Sequence, residues 1–229
     1  SIKDALAEIL RLDRAEIRRA LAEYSTLCSA GIVRLDHTES DLAGILDLLP
    51  GLDATLLEET ADSKTLFQNY FSPAMPGALA PEDFPHLHED FVLLRDVMAN
   101  VLYLDHSGIN ILLYGETGTG KTEFAKMLTA SLGAHLMEIS HENENSDLEE
   151  IRLRFRSYQL SQKVLAHKPK SIILFDEVED VFSEAMPPLF GRSHSGSCKA
   201  WVNEVLESNP RPALWVCNSV SHIDPAFRR

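Results

Sequence analysis

The sequence predicts an α/β fold in three layers, a parallel sheet with helices on both faces, preceded by a small, mostly helical N-terminal unit. Three observations carry that expectation. From residue 109 onward short apolar runs alternate with helical patterns, a glycine-rich loop separates one such run from a helix, and two adjacent carboxylates end another. Apolar runs of this length read as strands buried on both faces, and strands that alternate with helices assemble into parallel sheets.

Residues 1–71 form the first unit. Leu6, Ile9 and Leu10, then Ile17, Leu21 and Tyr24, recur at three- to four-residue spacing, with Leu12-Asp13 as a break between two helices. Gly31 is expected to stop the second helix, and Ile32-Val33-Arg34-Leu35 reads as a short strand. Helix, turn, helix, strand is the order in which a winged helix begins, with Arg14, Arg18 and Arg19 as its candidate phosphate contacts. Charge argues against that use. Seven basic residues face thirteen acidic ones in residues 1–71, and arginines on a helix are most often a solvated face. A packing or adaptor role is the expectation.

Pro73, Pro76, Pro81 and Pro85 give residues 72–86 a linker composition. The third segment, 87–229, opens with an amphipathic helix over 87–104, whose stripe is Leu87, Phe91, Leu94, Val97, Met98, Val101 and Leu102. Strands follow at 109–114, 136–139, 171–175 and 213–217, with helices from Lys121 and from Asp147 and a further segment at 200–206.

Gly115-Glu116-Thr117-Gly118-Thr119-Gly120-Lys121-Thr122 fits the P-loop pattern G-x-x-x-x-G-K-[ST] in full, between a strand and a helix. Glycines let the backbone curl so that its N–H groups point at phosphate oxygens, and the helix N-terminus adds positive dipole. Lys121 is then expected to reach the β- and γ-phosphates of ATP, and the Thr122 hydroxyl to ligate Mg²⁺. Ser171–Phe175 ends in Asp176-Glu177. Two carboxylates at the carboxyl end of a buried strand are costly unless a cation or water uses them. Asp176 is the candidate for holding Mg²⁺, and Glu177 for polarising the attacking water as general base. Glu179 and Asp180 read as solvated. Asn218, at the tip of the strand 213–217, could bond the water or the γ-phosphate.

Asn218 followed by Ile223-Asp224-Pro225-Ala226-Phe227-Arg228-Arg229 resembles the second region of homology of the AAA ATPases, and the loop, the acid pair, the Asn and the arginines occur in that family's order. The resemblance covers about residues 82–229. It implies an αβα nucleotide domain with a helical lid, a ring-shaped and often hexameric homo-oligomer, and Arg228 and Arg229 as arginine fingers serving a neighbouring subunit. Members that thread polypeptide carry an aromatic residue and a Gly where this chain has Ser140–Asp147, which contains neither, so the resemblance does not extend to threading. The chain ends at Arg229, before any fifth strand or lid, and is expected to be a piece of a longer protein. Residues 184–199 read as a mobile loop.

Composition narrows the partners. The 229 residues carry 35 acidic and 21 basic side chains, a formal charge of -14, which repels nucleic acid and anionic membrane surfaces. Three scattered cysteines make neither a disulfide framework nor a zinc site, and no histidines fall at metal-ligand spacing on a helix. With no membrane-length apolar run and no signal-peptide layout, the expectation is a soluble, cytoplasmic protein. The function expected is Mg-dependent ATP hydrolysis that remodels a protein partner. An ATP-gated DNA- or protein-binding module is the alternative, with a small-molecule P-loop kinase third. GTP is disfavoured because no Asn-Lys-x-Asp occurs to read guanine.

Overall fold

The computed structural model describes residues 2–22, 24–35, 45–57, 66–140, 148–179, 181, 198–221 and 223. Its N-terminal part begins with α1 (Ile2–Leu10) and α2 (Arg14–Ala20). Asp13 caps α2, its carboxylate accepting from the Ala15 N–H while the Glu16 carboxylate accepts from the Asp13 N–H, which is why the chain breaks at Leu12-Asp13. α2 ends before Gly31. A further short helix, α3 (Thr26–Ser29), capped by the Ser25 hydroxyl, intervenes, and Gly31 follows that one instead. Strands β1 (Val33–Leu35) and β2 (Leu46–Leu48) then pair antiparallel, and α4 (Leu52–Leu57) follows.

Leu6, Ala7, Ile17, Leu21 and Val33 form a small core within this part. Ile9, Leu10 and Tyr24, expected on the buried face, are 66%, 53% and 79% exposed. Such short helices cover only a narrow strip of one another.

The main sheet has five strands in the order β3, β5, β6, β7, β4. These are β3 (Phe71–Pro73), β4 (Asn110–Tyr114), β5 (His135–Ile139), β6 (Ser171–Phe175) and β7 (Ala213–Cys217). β4, β7, β6 and β5 run parallel, and β3 joins β5 antiparallel, Phe71 opposite Ile139. The helices are α5 (His88–Leu104), α6 (Lys121–Ser131), α7 (Leu148–Leu165) and α8 (Cys198–Glu207). Val97, assigned by its spacing to the buried stripe of α5, is 44% exposed, whereas Phe91, Met98 and Val101 are buried.

The linker composition of residues 72–86 misleads about their packing. Phe71–Pro73 belongs to the sheet, and the stretch beyond lies against α6: the Ala78 N–H donates to Glu123 Oε2 at 2.7 Å, and Phe84, 4% exposed, meets the Phe124 ring edge-on at 5.6 Å. Pro81 and Pro85, with φ fixed by their rings, open the 3₁₀ turns Pro81–Asp83 and Pro85–Leu87, and one apolar ring anchors the stretch.

Ile172, Ile173, Leu174 and Phe175 are wholly buried, and each fully buried side chain of this kind contributes about 1.5–3 kcal/mol. The apolar cluster on one side of the sheet extends into the N-terminal part, taking in Ala30, Leu49 and Leu52 with Ile139, Phe155 and Trp215. Arg156 of α7 completes that contact. Its Nε donates to Gly31 O at 2.8 Å, its Nη1 to Asp47 Oδ1 and Oδ2 at 3.1 and 3.0 Å, and its Nη2 to Ile32 O and Asp47 O. Gly31 sits at φ 71°, and a Cβ there would lie 3.1 Å from Arg156 O, so glycine lets the two backbones approach this closely.

Candidate functional site

The parallel strands bring Gly115–Thr122, Asp176, Glu177 and Asn218 to one end of the sheet, since β4, β6 and β7 all point their carboxyl ends the same way. From β4 the chain enters the loop Gly115–Gly120 and then α6, whose first residues are Lys121 and Thr122. Gly120 caps this helix at φ 84°, and a Cβ there would lie 3.1 Å from the Phe84 ring. Both facts demand glycine. The Thr119 hydroxyl donates to Glu116 O at 2.9 Å, closing the loop on itself, while Glu116, Thr117 and Gly118 are exposed.

Lys121 folds inward. Its Nζ donates to Gly115 O at 2.9 Å, to Glu116 O at 2.8 Å and to Asn218 Oδ1 at 3.0 Å, the last from the residue that follows β7. Thr122 turns the other way, and its hydroxyl donates to Asp176 Oδ2 at 2.6 Å. The Asp176 Oδ1 accepts from the Glu177 N–H at 2.9 Å. Gly115, Glu116, Lys121 and Asn218 therefore form one hydrogen-bonded set and Thr122 and Asp176 a second, at the ends of three strands.

Glu177 is exposed and holds φ 52°. For a side chain other than glycine this left-handed conformation costs about 1–2 kcal/mol, which the neighbourhood must offset. Its neighbours are firmly placed: Val178 is fully buried and its N–H donates to Val216 O at 3.0 Å. Arg228 and Arg229 lie outside the described residues, as do Asp180, 141–147 and 184–197.

Two residues of the site escaped sequence reasoning. Glu179, read as solvated, accepts a hydrogen bond from the Asn218 N–H, so it buttresses the residue that meets Lys121. Arg154 of α7, 6% exposed, donates from Nη1 to Glu177 O at 3.2 Å and from Nη2 to Asp176 O. An Arg twenty-two residues before the acid pair carries no local signal. Only the packing of α7 along β6 brings it there.

Electrostatics follow the same geometry. Burial pushes the Cys217 thiol up, and the Glu179 carboxylate adds to that. The Ala78 N–H and then the Lys126 ammonium hold the Glu123 carboxyl below its ordinary range on the first turn of α6. Such an arrangement can bind an anion at the loop and a hard cation beside Thr122 and Asp176, since it offers a lysine ammonium and clustered oxygen ligands.

Among the described residues no helix is long and apolar enough to cross a membrane. A stretch of 77 residues is 34% identical to the ORC1-type DNA replication proteins of Pyrococcus horikoshii, Pyrococcus abyssi and Pyrococcus furiosus. That stretch is 34% of this chain and 18% of each relative, so the chain matches less than a fifth of their length. A chain of the solved E. coli MS115-1 HORMA:CdnC:Trip13 complex superposes with a TM-score of 0.44 at 14% identity, over 71% of this chain and 68% of that one. The sequence model of the ATPase family associated with various cellular activities (AAA) matches residues 111–229, from β4 through the glycine loop and the acid pair to the chain end, and by that match over more than half its length the chain belongs to this family.

Proposed function

We propose that the chain binds Mg-ATP at the Gly115–Thr122 loop and hydrolyses it, and that hydrolysis remodels a protein partner. The observation that carries this reading is the convergence of Lys121 on Asn218 and of Thr122 on Asp176. Lys121 donates to three oxygen acceptors, and phosphate oxygens are the stronger acceptors it would exchange them for. Thr122 and Asp176 are the hard oxygen ligands that would hold Mg²⁺, an ion that neutralises charge on the phosphates. Glu177, one residue beyond, polarises the attacking water as general base, and Asn218 orients that water or reads the γ-phosphate. Arg228 and Arg229 would complete a neighbour's site in a homo-oligomeric ring, as the family resemblance implies, in the cytoplasm.

One observation favours a second reading. The ORC1-type relatives are named as DNA replication proteins, and the described residues open with three helices and then a pair of antiparallel strands, elements that a winged helix also uses. ATP would then gate DNA binding. The thirteen acidic against seven basic residues in 1–71 weigh against it.

Lys121→Ala is expected to abolish ATP binding in calorimetry. Glu177→Gln is expected to keep binding while turnover falls by about 10²–10⁴. Unchanged affinity in the first variant, or unchanged turnover in the second, would overturn the site. ATP-dependent, salt-sensitive retention of duplex DNA by the full chain would move the conclusion to the second reading.

A further inference from the structure

The chain leaves β6 through two residues whose carbonyl oxygens are both taken by one side chain from another element. Arg154 donates from Nη1 to Glu177 O at 3.2 Å and from Nη2 to Asp176 O, and its guanidinium carbon lies 4.6 Å from the centre of the Phe175 ring. The group is 6% exposed, and α7, which carries it, packs along β6. A planar cation with donors in a fixed fork suits this place: it bridges two carbonyls while its face rests on an aromatic ring.

We propose that Arg154 is a positioning residue for hydrolysis, holding the backbone at Asp176 and Glu177 so that the Glu177 carboxylate is presented in one orientation. This rests on the reading of Glu177 as general base. Glu177 sits at φ 52°, a region that a residue with a side chain enters only under outside constraint. Its flanks are tied, by the Asp176 carboxylate to the Glu177 N–H and by Val216 O to the Val178 N–H. The remaining freedom lies in the two carbonyls, and Arg154 takes both. Relaxation of Glu177 to negative φ would turn the peptides on either side of it, break those two bonds and swing the carboxylate away from its place beside Asp176. Lys121 and Thr122 depend on neither bond, so nucleotide binding is separable from the effect.

The test compares Arg154→Met and Arg154→Lys with the unmodified full chain, alone and in a Glu177→Gln background. Readouts are ATP affinity by calorimetry, thermal melting, and single-turnover hydrolysis of γ-labelled ATP. The expected result for Arg154→Met is a fall of about 10- to 100-fold in the hydrolysis rate, the scale of an ångström-sized misplacement, with ATP affinity within about twofold of the original. Arg154→Lys keeps the charge but reaches only one carbonyl, and should restore part of the rate. In the Glu177→Gln background Arg154→Met should cost no further rate, because the group it positions is already disabled.

An unchanged rate in Arg154→Met overturns the proposal, as does a loss that multiplies undiminished with that of Glu177→Gln. A parallel loss of affinity and rate also overturns it, since that marks a structural role only. Should Arg154→Met not fold, Arg154→Lys decides alone: a rate below the original at unchanged affinity and melting supports the proposal, and an unchanged rate overturns it. If Glu177→Gln hydrolyses at the original rate, the failure is of the general-base reading. If Glu177→Gln is inactive and Arg154→Met hydrolyses at the original rate, only the positioning role falls.

Discussion

Residues 154–162 of α7 and residues 171–175 of β6 are buried to nearly the same degree by opposite means. β6 is Ser-Ile-Ile-Leu-Phe, with no residue more than 2% exposed, and its burial is explained by apolar side chains packed on both faces. The α7 stretch holds Arg154, Arg156, Ser157, Gln159, Ser161 and Gln162, none above 6% exposed, together with Phe155, Tyr158 and Leu160. Its polar groups are tolerated because most have specific partners. Gln162 bridges the Tyr158 hydroxyl and the backbone of Arg211, Ser161 donates to Tyr158 O, and the two arginines reach carbonyls on opposite sides. Tyr158 shows the cost of that setting, since full burial lifts its hydroxyl far above the ordinary tyrosine range. Apolar burial is cheap and unspecific. Polar burial is conditional on partners, and it is the polar helix that ties the acid pair on one side to the N-terminal part on the other.

The largest effect is expected from Phe175→Ala on β6, whose ring stacks on Trp215 at 5.1 Å and lies under the Arg154 guanidinium. A loss of about 3–5 kcal/mol is expected in denaturant unfolding, from lost burial and the cavity left behind. A loss below about 1 kcal/mol would mean that the region collapses to fill the gap.

Next comes Arg156→Met, which removes the contacts to Gly31, Ile32 and Asp47. Hydrogen bonds to a charged group are worth about 1.5–3 kcal/mol, and Asp47 is 41% exposed, so the carboxylate left behind can turn to water. We therefore expect about 2 kcal/mol. Amide exchange should quicken across residues 31–48 more than in β6, and uniform quickening would show that the two parts unfold as one.

The smallest effect is a pH dependence at Glu123, on the helix that begins at the glycine loop. Its carboxyl is held below its ordinary 4.5 in the folded chain, first by the Ala78 N–H and then by Lys126. A depressed carboxyl stabilises the fold above its unfolded value and loses that contribution as pH falls through the folded one. Melting temperature should decline below about pH 4.5 in the original chain and decline less steeply in Glu123→Gln. Identical acid slopes would remove the Ala78 contact from the account.

The same contrast explains what could be read in advance. The parallel strands, the loop Gly115–Thr122, Asp176 and Asn218 are legible because each carries a local signature: an apolar run, a glycine spacing, a carboxylate or amide at a strand end. Arg154 and Glu179 are not, because their partners are a backbone carbonyl and a backbone N–H more than twenty residues away. Likewise β3 hides in proline-rich sequence, since an edge strand needs few ladder bonds and tolerates Pro73 at its end. α3 is missed because four residues are too few for periodicity to show.

The clasp of Arg156 has a consequence for how this chain could drift over evolutionary time. Three of its acceptors, on Gly31, Ile32 and Asp47, are main-chain oxygens, and every residue type supplies those. What selection can act on at this joint reduces to one arginine, one glycine that allows close approach, and one carboxylate. Two descendants could share the joint while agreeing at only those three positions, and the resemblance between them would lie in the path of the chain more than in its letters.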